Sequence, residues 1–308
     1  MKARRTSARC LLPILTGSLL CQFAGAHGNA SESDLLDRLE SNELSQRRDA
    51  VRELGPDRIG KLQPGLAIEA VIVAAQDSDA RIRESALAGL AVLSLTVRAA
   101  TSNSAAAAFA REIQESRQVR PLLERILTTD QNSGVALAAS TAFMSLYGSD
   151  PAAESLLLNR IDQESFPIDK VKLLGNLAIG GIDSDQSVER LAKYLRDAPA
   201  IVQHKAATLL LTRGELRVEW LEDYLRVIET PATFADPRLV RALARFSVGP
   251  EKYLPRLLGI RERLTIELDK PPDARTVTIH NDDFWRQTLD DAIAAARSQS
   301  KAPGEGQP

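Results

Sequence analysis

Apolar and small residues recur along most of the chain at helical spacing, in two interleaved sets. The stretch DSDARIRESALAGLAVL, residues 77–93, carries the first set most clearly: Ile82 with Arg83 beside it, Ala86 four positions after Ile82, and Leu90 four after that. The same form recurs as Gln46-Arg47, Ala50, Leu54; Val135-Ala136, Ala139, Phe143; Val171-Lys172, Gly175, Ile179; Val202-Gln203, Ala206, Leu210; and Val240-Arg241, Ala244, Val248. A small residue at the centre of a helix face lets a neighbouring backbone approach, and the apolar residues around it form a ridge for the next element. The second set lies between these helices: Val119, Leu122, Leu123, Ile126, Leu127; Leu156, Leu157, Ile161; Val188, Leu191, Leu195; Leu221, Tyr224, Leu225, Ile228; and Leu254, Leu257, Leu258. Gly55-Pro56, Gly148–Pro151, Gly180-Gly181, Gly214 and Gly249-Pro250 punctuate them, with proline suited to first turns and glycine to helix ends.

The small residues stand 36, 53, 36, 31 and 38 positions apart, a period of supersecondary size that predicts stacked helix pairs. Each pair buries too little alone, so only stacking completes a core. The expected fold class is all-α: about six antiparallel helix pairs over residues 33–265. The long interval exceeds its 36-residue neighbours by 17 residues, placing an extra or lengthened helix near 96–116, with Phe109 and Ile113 packed on the stack. Beyond 265, Pro271-Pro272 breaks the pattern, and residues 266–297 read as an extended arm (Arg275–His280) followed by a helix. That helix would cover the open end with Phe284, Leu289, Ile293 and Ala294; residues 298–308 read as a disordered tail.

The repeat resembles the HEAT-repeat family, near its armadillo and phycobilisome-lyase-like variants, across roughly 33–265. The resemblance rests on Asp79, Arg83, Ala86 and Leu90, with Lys172, Gly175, Ala206, Arg241 and Ala244 in looser copies. It implies a right-handed α-solenoid, a partner-binding surface built from the second helix of each pair, and a polar ladder of turn aspartates and second-helix arginines. Asp79 and Arg83 would fill the ladder roles, and Asp236 and Arg241 would do so less closely. Ala136 and Gln203 depart from the pattern where a base belongs.

Composition changes the picture at the amino end. Lys2, Arg4, Arg5 and Arg9 precede an apolar run from Cys10 to Phe23 that ends in Ala24-Gly25-Ala26. This order predicts a secretory leader, residues 1–26, cut between Ala26 and His27, with a flexible start at 27–32. It points to Sec-dependent export and a periplasmic or secreted protein. Leu20 stands before Cys21 where a lipid-attachment signal wants a small residue. Without the leader, 35 basic and 41 acidic residues remain, a net −6, and both cysteines are gone. That balance disfavours nucleic acid as partner, and no later run is long enough to span a membrane.

No reactive constellation is visible. His27, His204 and His280 lack ligand spacing, and neither a phosphate loop nor a nucleophile elbow occurs. An amino-terminal His27 could chelate copper, but the β-sandwich and companion histidine such sites use are missing. No catalytic residue, metal or cofactor is therefore expected. The expected function is a non-catalytic scaffold or adaptor binding a protein or peptide of the bacterial cell envelope, tuned by Arg81, Glu84, Lys170, His204 and Lys205. Trp220, Tyr224, Tyr253 and Trp285 are the aromatic anchors available, each better suited to the core. The rival expectations are an enzyme or enzyme subunit of lyase type on the same scaffold, and a plain structural spacer.

Overall fold

The computed structural model describes residues 32–55, 58–99, 111–181, 184–215, 217–230, 237–243, 249–274 and 282–301. The leader with its Ala26–His27 junction, Phe109, Asp236, Ala244 and the 275–280 arm lie outside these residues, as does the side chain of Trp285.

The described residues are all-α, with no strand among them. The helices are α1 Glu32–Leu39, α2 Leu44–Val51, α3 Pro64–Ala74, α4 Ala80–Ala99, α5 Val119–Thr129, α6 Ser133–Tyr147 and α7 Pro151–Gln163. Then come α8 Pro167–Gly180, α9 Asp185–Asp197, α10 Ala200–Arg213, α11 Leu221–Glu229, α12 Pro237–Ala242, α13 Leu254–Leu268 and α14 Asp282–Lys301. Their ends follow local rules. The side chains of Asn132, Asp150 and Ser184 accept backbone N–H groups at the starts of α6, α7 and α9. Pro64, Pro151 and Pro167 occupy first turns, and Gly214 ends α10 at φ 83°.

Packing sorts the helices into two rows. Each odd helix from α1 to α13 contacts the next odd one, each even helix from α2 to α12 contacts the next even one, and each odd helix packs on the even helix after it. Helix α14 takes the even position after α12, touching both α12 and α13. Its buried stripe is Thr288, Leu289, Ala292, Ile293 and Ala296. Of the expected covering residues, Leu289 and Ile293 are therefore inside, whereas Phe284 and Ala294 are exposed. The helix runs to Lys301, four residues into the stretch read as a tail.

Most ridge residues are inside, though Leu156 and Leu254 are half-buried. Val119, Leu122, Leu123, Ile126 and Leu127 are all buried, as are Ala50, Ala86, Ala139 and Ala206. Leu258 instead faces solvent. In α8 the buried ridge is Leu173, Leu174 and Leu177, while Val171, Gly175 and Ile179 are half-buried. Counting seven residues from the N-cap, the place of Ala86 (after Asp79), Ala139 (after Asn132) and Ala206 (after Pro199) falls in α8 to Leu173 (after Phe166). The backbones meet elsewhere. A Cβ on Gly89 would lie 1.7 Å from the Leu54 carbonyl oxygen, and one on Gly148 would lie 2.1 Å from the Gly180 Cα. On Gly175 it would meet nothing nearer than the Lys205 Nζ, at 3.7 Å.

Candidate partner-binding surface

The turns leading from odd to even helices lie along one edge, and a ladder of guanidinium groups runs there. Arg47 Nε donates to Asp77 at 2.7 Å and its Nη1 to the Ser41 carbonyl at 2.9 Å. Arg83 Nε donates to Asp130 at 2.8 Å and its Nη1 to the Asp77 carbonyl at 2.9 Å. Arg160 Nη1 donates to the Asp130 carbonyl at 3.1 Å, and its Nη2 lies 3.5 Å from Glu164. Each cation thus joins the carbonyl of one turn to the carboxylate of the next. Bonds between a charged fork and fixed acceptors set register as well as attraction.

Arg83 is the ladder base the resemblance implied, but Asp79 is not its acid. Asp77 and Asp130 fill that role, each also accepting the N–H two residues on. Asp79 caps α4, accepting from the N–H groups of Arg81 and Ile82, and takes Arg48 at 2.8 Å. Its carboxyl sits below the usual range, first because of the Arg48 hydrogen bond. Where Ala136 leaves α6 without a base, Arg160 supplies one from α7, in the other row. Sequence matching on the second helices could not find it. Gln203 continues with a neutral contact, donating to the Arg196 carbonyl at 3.0 Å.

Sequence separation dates each contact to a repeat. Arg47–Asp77 spans 30 residues, Arg120–Asp150 30, Arg190–Asp162 28 and Arg256–Glu229 27. Arg83–Asp130 spans 47, longer than Arg47–Asp77 by the same 17 residues that set the long interval apart. The added chain is thus accommodated without breaking the ladder, and its described end is tied down by buried Ile113 and by Gln114, which donates to the Leu146 carbonyl at 2.8 Å.

The even-row face carries the proposed contact residues. Arg81 and Glu84 are exposed on α4, with the Glu84 carboxyl beside Gly134 of α6. Lys170 on α8 and His204 and Lys205 on α10 are half-buried, and the Lys205 ammonium reaches over Gly175. Lys172 pairs within its own helix with Asp169 at 2.9 Å. Arg241 turns toward the terminal helix, its guanidinium 5.3 Å from the Phe284 ring centre and 3.4 Å from Thr288 Oγ1. Trp220, Tyr224 and Tyr253 are fully buried core residues.

The comparisons with known proteins add little here. No family model matches the chain, and no curated protein is similar to it. Among solved structures it is similar to the crystal structure of an engineered protein from the Northeast Structural Genomics Consortium, at 16% identity and a TM-score of 0.31, over 87% of this chain and 97% of that one.

On the odd row, α5 and α7 enclose an open groove of about 340 Å³, lined by Leu127, Thr128, Leu156, Asn159, Arg160 and Gln163 among others. No residue pattern along the chain foretells it, since its walls belong to two repeats. Arg160 is the charged member of that lining, and its terminal nitrogens are engaged in the ladder. Among the described residues, no group of three or more His, Cys, Asp or Glu side chains could hold a metal ion. Burial pushes the Tyr147 phenol up to about 12, so it is a protonated structural group near neutral pH. No helix among them is long and apolar enough to cross a membrane.

Proposed function

We propose that the chain is an exported, non-catalytic scaffold of the bacterial cell envelope, a HEAT-type right-handed α-solenoid that holds a protein or peptide partner on its even-row face. What supports this reading is the strict nearest-neighbour order of two helix rows, held in register by contacts about one repeat long. Such an order produces a long continuous surface from short units, the form repeat proteins use to bind extended partners. The basic-then-apolar leader supports export to the periplasm or beyond.

The test is crosslinking and affinity capture in envelope extract with the chain from His27 onward, against a version unfolded by heat. One specific protein retained by the folded form is the expected result; repeated absence of any counts against the scaffold. The α5–α7 groove keeps a second reading in play, an enzyme or enzyme subunit of lyase type. That reading requires a small ligand in the groove, and a protection footprint on Asn159 and Gln163 with candidate chromophores would decide it.

A further inference from the structure

Arg160 has a donor that its ladder contacts leave over. Nη1 donates to the Asp130 carbonyl and Nη2 lies against Glu164, while Nε is buried and meets no acceptor among the described residues. The whole residue is only 8% exposed. A covered donor without a partner forfeits the bonds it would make in water, most heavily when it carries charge, and such groups are exceptions in folded proteins. This rung is also loosely held. Its Nη2 stands 3.5 Å from Glu164, whereas Arg47 and Arg83 meet their carboxylates through Nε at 2.7 and 2.8 Å. Glu164 is secured from elsewhere, since its other oxygen accepts the N–H groups of Ser165 and Phe166.

The α5–α7 groove runs past this group, with Arg160 in its lining. Three more polar side chains there, Ser155, Asn159 and Gln163, can donate. Asn159 Oδ1 accepts from Arg190 at 2.8 Å, which leaves the amide hydrogens of Asn159 to donate. Thr128 spends its hydroxyl hydrogen on backbone carbonyls of its own helix. Leu127 and Leu156 supply an apolar flank. At about 340 Å³ the groove falls in the size range of small-molecule sites.

We propose that the α5–α7 groove binds a small carboxylic acid with a short apolar chain, through Arg160 Nε and the Asn159 amide. One carboxylate oxygen accepts from Nε and the other from Asn159, while the chain lies along Leu127 and Leu156. Because Nε is covered, the guanidinium must tilt toward the groove to reach the ligand. What the tilt gives up is the long Glu164 contact, and the Asp130 carbonyl stays on Nη1. A carboxylate suits the site better than a neutral acceptor, because a bond between charged groups is shorter and stronger. This goes beyond the scaffold reading: the groove lies on the row opposite the proposed partner face. It requires binding alone and none of the chemistry of a lyase.

The probe is hexanoate, titrated into the isotope-labelled chain from His27 onward and followed through its backbone amide signals by nuclear magnetic resonance. Saturable shifts centred on Ser155 to Gln163 are expected, and hexanol should bind at least about tenfold more weakly for want of the charge. Asn159→Asp keeps an acceptor for Arg190 but sets a negative charge where the carboxylate would lie, so it should weaken binding at least about tenfold. Ser155→Trp, which fills the groove and leaves every charge in place, should weaken it as much. Lys252→Glu, exposed and in the last repeat, lowers the net charge further than Asn159→Asp does and should change binding by less than about twofold. The absence of saturable shifts overturns the proposal. So do shifts centred elsewhere, equal binding of hexanol, or equal binding by Asn159→Asp. Capture of an envelope partner should be the same for Asn159→Asp as for the unaltered chain, so failure of this inference and failure of the scaffold reading are distinguishable.

Discussion

The amino-terminal part, through α8, and the carboxy-terminal part, from α9 to α14, stack alike but are fastened differently. In the first, guanidinium groups on or near the turn edge bridge successive repeats, and Arg160 and Glu164 do so at only 8% exposure each. In the second, the largest buried side chains are aromatic: Trp220, Tyr224 and Tyr253. Charge pairs between repeats continue there, Arg256 with Glu229 at 2.6 Å and Arg196 with Asp223 at 3.1 Å, and cations lie over rings in both parts, Arg120 near Tyr147 in the first and Arg217 near Trp220 in the second. The difference teaches that the repeat is defined by where its helices sit, and that register can be fixed by a charged ladder or by bulky, shape-specific packing.

The comparison can be broken most forcefully in the aromatic part. Trp220→Ala should cost about 4 kcal/mol, the range for emptying a packed aromatic site, read from denaturant midpoints. In the ladder part, Arg160→Ala should cost about 3 kcal/mol, because Glu164 would keep a buried charge without its partner. Arg190→Ala, which breaks an exposed pair with Asp162, should stay under about 0.5 kcal/mol. If Arg160→Ala were as mild, the ladder would be decoration. Gly89→Ala should cost about 2 kcal/mol by driving a methyl into the Leu54 carbonyl. Gly175→Ala has room and should stabilise by up to about 1 kcal/mol; a loss there would mean α8 is seated differently.

Acid should weaken both parts together. Asp150 is held below the usual carboxylate range first by the Ala152 N–H and then by Arg120; Glu229 is lowered chiefly by Arg256. Depressed carboxylates contribute stability that is full above their unfolded value near 4 and is lost as pH falls through their lower folded values. Melting temperature should therefore drop below pH ~4, and Glu229→Gln should flatten that decline.

Most of the fold was legible because burial at helical spacing is a strong constraint. Every residue of the Val119–Leu127 ridge faces inward, and the 17-residue excess reappears in the reach of Arg83. The misses have physical causes. In α8 the small-residue template chose Gly175, but the chain buries Leu173 at that place, so size alone misled the register. Gly148 and Gly180 read as helix punctuation because a glycine that ends a helix and one that lets two backbones cross occupy the same kind of position. Asp77 and Asp79 are two residues apart in one acidic turn, and only the direction of each carboxylate separates ladder from cap. The Arg160 rung crosses rows, which no single-helix pattern reveals. Of the expected contact residues, Arg81 and Glu84 lie exposed and Lys170, His204 and Lys205 half-buried on the even row; which row a helix joins is set by its neighbours in space, and spacing along one helix does not reveal it.

The carboxy-terminal end of the two rows is closed by a helix of its own. Helix α14 closes the even row, and the Tyr253 hydroxyl meets Gln299 at 3.2 Å across that closure, whereas α1 and α2 are eight residues each with no helix before them among the described residues. Because α14 touches both α12 and α13, it has to be stripped away before either loses its last neighbour, so a protease or a pulling force working from the carboxyl end meets this clasp first.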